Sequence, residues 1–312
     1  MKASAPGKVI LFGEHAVVHG RPALAVPVTQ VRAEVDVASS PRAGIWIDAP
    51  DIHLSAELKT LPSDDPLAAL LRNLFVALAI DPYPDLTIRI SSTIPVASGL
   101  GSGAAVSVAL IRALGAALGQ PLTDEQVNAY AFEIEKRHHG TPSGIDNTVI
   151  TYARPVYYVS GRPIETLHVR EPFTIVIGYT GIAAPTRESV ADVRRAWEHD
   201  PATWDVVFDG IGALARMARE AIENGMWRHL GPLMDENHAL LQRLTVSSPE
   251  LDRLVLVSRR AGALGAKLSG GGRGGNMIAL APESGPRAIA DALTDSGAPS
   301  VIVTRVVATP SA

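Results

Sequence analysis

The sequence predicts an α+β fold in two sections, and three observations carry that expectation. Short apolar runs rich in β-branched residues dominate the first ninety positions, as strands do. Helical patterns then recur between Pro66 and about Arg137. From near Glu171 a buried-looking strand, several helical stretches and a strand–glycine loop–strand unit follow one another. The change of section lies between Gly161 and Pro172, which places two domains at residues 1–167 and 168–312. A chain of 312 residues is long enough for one large or two ordinary domains.

Lys8–Phe12, Val31–Val37 and Leu86–Ile90 read as strands. Residues 32–37 alternate polar and apolar side chains, the pattern of a half-buried strand. Pro66 opens the first helical pattern and Ser102–Leu118 is the second. Thr123 precedes Asp124, Glu125 and Gln126, so a capping residue and early acids start a helix running to about Arg137. It stops before the loop HHGTPSGIDN. In the second section Phe173–Gly181 is a strand ending in a turn, followed by helical stretches at Pro185–Trp197, Trp204–Glu223, Met226–Leu244 and Pro249–Arg260. Ala266–Leu280 reads as strand, glycine loop and strand, Pro286–Leu293 as a helix and Ser300–Val306 as a strand.

Composition excludes several classes of function. Hydrophobic residues at 46% and charged ones at 19% suit a globular protein with a substantial core. The formal net charge of −4 gives no basic excess, so nucleic acid is not an expected partner. The absence of cysteine rules out disulfides, thiolate metal sites and thiol nucleophiles, and it suits a cytoplasmic protein. The early apolar run Val9–Phe12 is too short for a signal-peptide core. No stretch approaches the ~20 apolar residues of a membrane span, so a soluble protein without membrane contact is expected. A homodimer is an admissible assembly.

The densest chemical signal is PVASGLGSGAAVSVALIRAL, Pro95–Leu114. Glycines at 99, 101 and 103 let a polyphosphate approach the backbone, and the amides and dipole of the following helix favour its charge. The lysine of a Walker A loop is missing, and a tight turn before a buried helix would carry similar glycines. A second cluster, GAKLSGGGRGGNMIAL, satisfies GxGxxG literally through Gly270, Gly272 and Gly275. It leads into a strand where a dinucleotide loop must lead into a helix, which rejects that reading. Five glycines in six positions are more than a strand turn requires and point to a close approach of the backbone to a ligand or another segment.

Two further segments hold titratable groups. APGKVILFGEHAVVHG places Lys8, Glu14, His15 and His19 around an apolar run, and EIEKRHHGTPSGIDN presents Asp146 in a loop just beyond a helix carrying Glu135. Taken singly, each also reads as a solvated turn.

Together and in order, these segments resemble the GHMP kinase superfamily, which includes galactokinase, homoserine kinase, mevalonate kinase and phosphomevalonate kinase. Pro6–Val9, Gly99–Ala105 and Lys267–Gly275 look like its three signatures, and MDENHALL is similar to its C-terminal halves. The wording of GEHAVVHG and HGTPSGIDN is similar to the mevalonate kinases within it. The resemblance runs from about residue 3 to 281.

The resemblance implies a mixed-sheet N-terminal domain, a ferredoxin-like C-terminal domain and an active site in the cleft between them. It implies ATP-dependent phosphorylation of the small alcohol mevalonate, with Mg2+ as cofactor. Asp146 then matches the catalytic aspartate and Lys8 the lysine beside it. ATP would lie on Pro95, Ser98, Gly99, Leu100, Gly101, Ser102, Gly103, Gly271 and Gly272. Glu135 and Ser102 match the metal ligands, and Glu14, His15, Gly144 and Thr186 the acceptor side, where His15 can donate to an acceptor oxygen. One departure stands out: Gly103 occupies a place where the family usually has a second serine that helps to hold magnesium. The alternatives are a sibling kinase (phosphomevalonate kinase, mevalonate 3-kinase or homoserine kinase) or a non-catalytic metabolite sensor on the same fold.

Overall fold

The structure is a computed structural model that describes residues 1–95, 98–139 and 143–309, the side chains of 137–139 aside. Val96 and Ala97 of the first glycine loop and Gly140–Pro142 of the HGTPSGIDN segment lie outside the described residues. Two compact units form by contact. The first takes Met1–Gly7, Val31–Pro95 and Gly101–Ala153; the second takes Lys8–Gln30, a short piece ending at Leu100, and the chain from Arg154 onward.

In the first unit, strand β2 (Ala23–Ser39) contributes its second half. Val31, Ala33, Val35 and Val37 are buried while Arg32 and Glu34 are exposed, as the alternation requires. This half pairs antiparallel with β5 (Leu86–Ser92), from Ala33 opposite Ser92 to Ser39 opposite Leu86. Strand β5 pairs parallel with β3 (Ile45–Ala49), and β3 pairs antiparallel with β4 (Leu54–Glu57). Strand β1 (Lys2–Phe12) also pairs with β2.

α-Helices pack within this unit as well. Helix α1 (Pro66–Ala77) is capped by Asp65, which accepts from the Ala68 amide at 2.8 Å, with Pro66 in the first turn. Helix α2 (Ser102–Ala117) packs on α3 (Asp124–His139) and on α4 (Ile145–Tyr152). A reciprocal capping box starts α3: Thr123 Oγ1 accepts from the Gln126 amide at 3.3 Å, and Gln126 Oε1 accepts from the Thr123 amide at 2.9 Å. Asn147 of α4 is buried and donates from Nδ2 to Asn128 Oδ1 of α3 at 2.6 Å, tying the two helices together.

In the second unit the first half of β2 pairs with β6 (Val156–Tyr158), which pairs with β7 (Glu165–Thr166). The main sheet contains β8 (Phe173–Tyr179), β9 (Gly265–Ser269), β10 (Asn276–Leu280) and β11 (Ser300–Val306) in the antiparallel order β11-β8-β10-β9. Helices α5 (Thr186–His199), α6 (Pro201–Glu223), α7 (Leu230–Arg243) and α8 (Pro249–Arg260) lie between β8 and β9 in the chain. Helix α9 (Arg287–Asp295) lies between β10 and β11. This β-α-β-β-α-β order is the ferredoxin-like arrangement the resemblance implied. Its core joins Val176, Leu268, Met277 and Ala279 of the sheet to Phe208, Ile211, Leu254 and Leu293 of the helices. Both β9 and β10 are buried at every position. Among the described residues no helix is long and apolar enough to cross a membrane.

The structure corrects one local expectation. Residues 145–152 form helix α4, so Asp146 sits in a first helical turn instead of a loop. Gly144 starts that turn with φ +84°, a conformation glycine adopts without a Cβ clash. Strands β3, β4, β6 and β7 were also absent from the sequence reading, and β2 extends well beyond Val31–Val37.

Candidate active site

In the second unit Ser98–Leu100 of the first glycine loop meets the second glycine cluster. Lys8 is 3% exposed; its Nζ donates to the Gly99 carbonyl at 3.1 Å and its amide to the Leu100 carbonyl at 2.9 Å. From the other side Asn276 Nδ2 donates to the Ser98 carbonyl at 2.6 Å. Lys8, Ser98, Gly99 and Leu100 therefore share one place with the start of β10. The density of glycine in the second loop follows from what surrounds it. A β-carbon at Gly271 would come within 2.7 Å of Thr186 Oγ1, at Gly272 within 1.9 Å of the Val246 carbonyl, and at Gly275 within 2.9 Å of the Ser98 carbonyl. These distances rule out any side chain, so the close approach expected from the sequence is to other segments of the chain.

Arg273 is the one non-glycine residue in that run, with φ +56°. Its amide donates to the Val246 carbonyl at 2.7 Å, and its guanidinium donates to Asp192 of α5 and, at 3.4 Å, to the Thr245 carbonyl. The loop is thus fastened to the helix that Thr186 opens. Thr186 itself is exposed.

Glu14 and His15 lie beyond the end of β1. Glu14 is ion-paired with Lys267 of β9, and both side chains are 0% exposed. Glu14 Oε2 also accepts from Asn237 Nδ2 of α7 at 3.2 Å, and Lys267 Nζ donates to the Leu268 carbonyl at 2.7 Å. His15 has φ +60°, rare for a residue with a β-carbon. Its Nε2 is 3.1 Å from the Gly271 carbonyl, which can only accept, so Nε2 carries the proton. Nδ1 is then a bare acceptor, buried and without a partner. Burial lowers the ring's pKa from 6.5 to about 4, against the opposing pull of the Gly271 carbonyl, so the imidazole is neutral at pH 7. The sequence suggested that His15 donates; in the structure its donor is engaged and its remaining atom accepts.

In the first unit, Gly101 begins α2 at φ +77° with no side-chain cap. Ala105 makes a helical bond back to the Gly101 carbonyl, so the amides of Ser102, Gly103 and Ala104 have no partner within the helix. Such an end favours an anion. A β-carbon on Gly103 would meet nothing within 4 Å. Glu135 is half-buried on α3, Asp146 half-buried in the first turn of α4, and Pro95 half-buried after β5. Thr148 Oγ1 donates to the Gly144 carbonyl at 2.7 Å and steadies that first turn. Among the described residues no three His, Asp or Glu side chains cluster as a metal site.

Lys267, Asn237 and Asn276 were not singled out from the sequence as site residues. The available signal was a lysine between Ala266 and Leu268 in a strand, which needs a buried acid if that strand is covered on both faces.

Residues 67–154 match the family described as GHMP kinases N terminal domain, and residues 218–298 match GHMP kinases C terminal. The mevalonate kinase of Thermococcus sibiricus is 40% identical over 299 residues, covering 90% of this chain and 89% of that protein. The crystal structure of L. major mevalonate kinase in complex with R-mevalonate superposes with TM-score 0.84 at 33% identity, covering 100% of this chain and 97% of that one. A Streptococcus pneumoniae phosphomevalonate kinase superposes almost equally, with TM-score 0.83, at 18% identity over 97% of this chain and 100% of that one, a likeness of fold alone.

Proposed function

The chain belongs to the GHMP kinase family, and from that membership we propose that it transfers the γ-phosphoryl group of ATP to the 5-hydroxyl of (R)-mevalonate, forming 5-phosphomevalonate and ADP. Sequence identity carries the choice of substrate. The backbone resembles mevalonate and phosphomevalonate kinases alike, whereas identity reaches 40% and 33% with the former and 18% with the latter. We keep the domain boundary at 167/168, which the two family matches flank, while contact divides the chain after Ala153 and joins Lys8–Gln30 to the second unit.

In this reading the oxygen of the alcohol attacks the γ-phosphorus, the bond from phosphorus to the β–γ bridging oxygen breaks, and ADP leaves with that electron pair. Asp146 takes the proton of the alcohol, and Lys8 offers positive charge to the phosphoryl group in transfer. The phosphates of ATP lie along Ser98–Gly103, against the uncapped start of α2, with Pro95, Gly271 and Gly272 completing the nucleotide contacts. His15 accepts a hydrogen bond from an acceptor hydroxyl through Nδ1, and we assign Glu14, Gly144 and Thr186 to acceptor binding as well.

An ATP-using kinase family points to a divalent metal, and we assign Mg2+. Glu135 and Ser102 would supply two oxygens, which suits an ion that keeps waters and takes its other ligands from phosphate. When bound, that ion neutralises charge on the phosphates. The cysteine-free composition suits the cytoplasm, where we place the protein.

ADP release from purified protein, measured across mevalonate, phosphomevalonate and homoserine, tests the reading. The expected result is a kcat/KM for mevalonate at least about tenfold above that for phosphomevalonate, with phosphate on the 5-oxygen by NMR of the product. A preference for another alcohol, or no turnover of any, would overturn it.

A further inference from the structure

We propose that Lys267 is a positioning residue for the acceptor side: through Glu14 it fixes the turn that aims His15. The inference rests on the proposed function for its kinetic consequence, while the positioning itself stands on geometry. Three contacts fasten β9 and the loop after it to the segment from Ile10 to His15. Lys267 bonds Glu14; Ser269 Oγ donates to the Ile10 carbonyl at 2.8 Å and accepts from the Ile10 amide at 3.2 Å; the Gly271 carbonyl accepts from His15. Residues 267 and 269 lie on the same face of the strand, and 271 follows just beyond its end. Only the first of these contacts joins two charges.

Two fully buried charges need a reason. Withdrawing an ion pair from water is unfavourable enough that an apolar pair of equal volume often stabilises a fold as well or better. Such a pair does fix direction, because both partners must meet with good geometry or leave an uncompensated charge. Here Glu14 is held from two elements, by Lys267 of β9 and Asn237 of α7. Its neighbour His15 has a backbone conformation that persists only where the surroundings over-determine it. The turn closes on itself through the Val17 amide to the Gly13 carbonyl at 3.0 Å and the Val18 amide to the His15 carbonyl at 3.1 Å. Neither bond sets where the imidazole points. The Glu14 anchor and the Gly271 carbonyl do, and the anchor depends on Lys267.

The test uses Lys267→Met and the double variant Glu14→Gln with Lys267→Met, which removes both charges at nearly constant volume. Two readouts are taken: the imidazole signal of His15 in histidine-labelled protein, assigned with His15→Gln, and KM for each substrate. The expected result is a displaced or broadened His15 signal in both variants, with KM for mevalonate raised about tenfold and KM for ATP within twofold of wild type. The double variant should melt within a few degrees of wild type yet keep the raised mevalonate KM. If Lys267→Met does not fold, the double variant decides. An unmoved His15 signal, or a mevalonate KM restored in the double variant, overturns the proposal. A wild-type protein that does not turn over mevalonate overturns the proposed function alone, because the His15 signal still tests the positioning.

Discussion

Asn276 and Ser98, 178 positions apart in sequence, are joined by a 2.6 Å hydrogen bond in which the asparagine amide donates to the serine carbonyl. The bond crosses from the start of β10 to the first glycine loop, and Asn276 is 2% exposed. It holds a stretch of backbone whose conformation would otherwise be set by glycines. Replacing Asn276 by Asp puts carboxylate oxygens where a donor was, against the carbonyl oxygen of Ser98. A buried acceptor left unpaired costs roughly 1–3 kcal/mol, and more if charged. The expected outcome is a KM for ATP raised at least about tenfold and a lower melting temperature, read by nucleotide titration and thermal unfolding. A folded variant whose ATP KM stays within twofold would detach this loop from nucleotide binding.

Asp146 carries the proton-transfer role in the proposed reaction. Asp146→Asn keeps the volume and leaves the first turn of α4, with its Gly144 start and the Thr148 bond, in place. Loss of a positioned proton acceptor slows the chemical step by ~10²–10⁴, about 3–5 kcal/mol. Single-turnover rates should fall by that amount while melting temperature and ATP affinity hold. A near-normal single-turnover rate would remove Asp146 from the mechanism.

Gly103 separates metal binding from helix stability. The space beside it is open, and serine has the better helix propensity by a few tenths of a kcal/mol. Gly103→Ser should therefore melt no lower than wild type. It should also reach half-maximal rate at the same or a lower magnesium concentration. Glu135→Gln should shift the magnesium titration upward. An unchanged titration for Glu135→Gln would place the metal elsewhere.

Much of this was legible in the sequence where a local rule decides the structure. The alternation at Val31–Val37, the helix start at Pro66, the cap at Thr123 and the glycine loop leading into β10 all appear as read. Helix α4 was missed because Pro142 and Gly144 punctuate the segment like a loop, and the eight residues after them are too few to show a period. The short strands β3, β4, β6 and β7 fail the same way, their existence depending on a partner strand rather than on pattern. Lys267 was hidden for another reason. Its partner Glu14 is 253 positions away, and a lysine inside a strand points to a buried acid only once both faces of that strand are known to be covered.

Two buried histidines make stability pH-dependent over a defined window. His15 and His238 are each lowered from 6.5 to about 4, chiefly by burial; for His238 the Asp252 carboxylate pulls the other way, while Arg259 and Lys267 add to the lowering. His238 Nδ1 accepts from the Leu268 amide at 3.3 Å, and Nε2 faces Asp252 Oδ1 at 3.1 Å, a neutral ring used at both nitrogens. As pH falls below about 6.5 the unfolded chain binds protons that the folded protein refuses until about 4. Stability is therefore full above the first value and is lost progressively toward the second, by at most roughly 3 kcal/mol per ring. His238→Asn keeps an acceptor for the Leu268 amide and removes one titration. Urea unfolding from pH 7.5 to 4.5 should show a shallower loss of stability in the variant than in wild type. Parallel curves would mean that His238 does not resist protonation in the folded state.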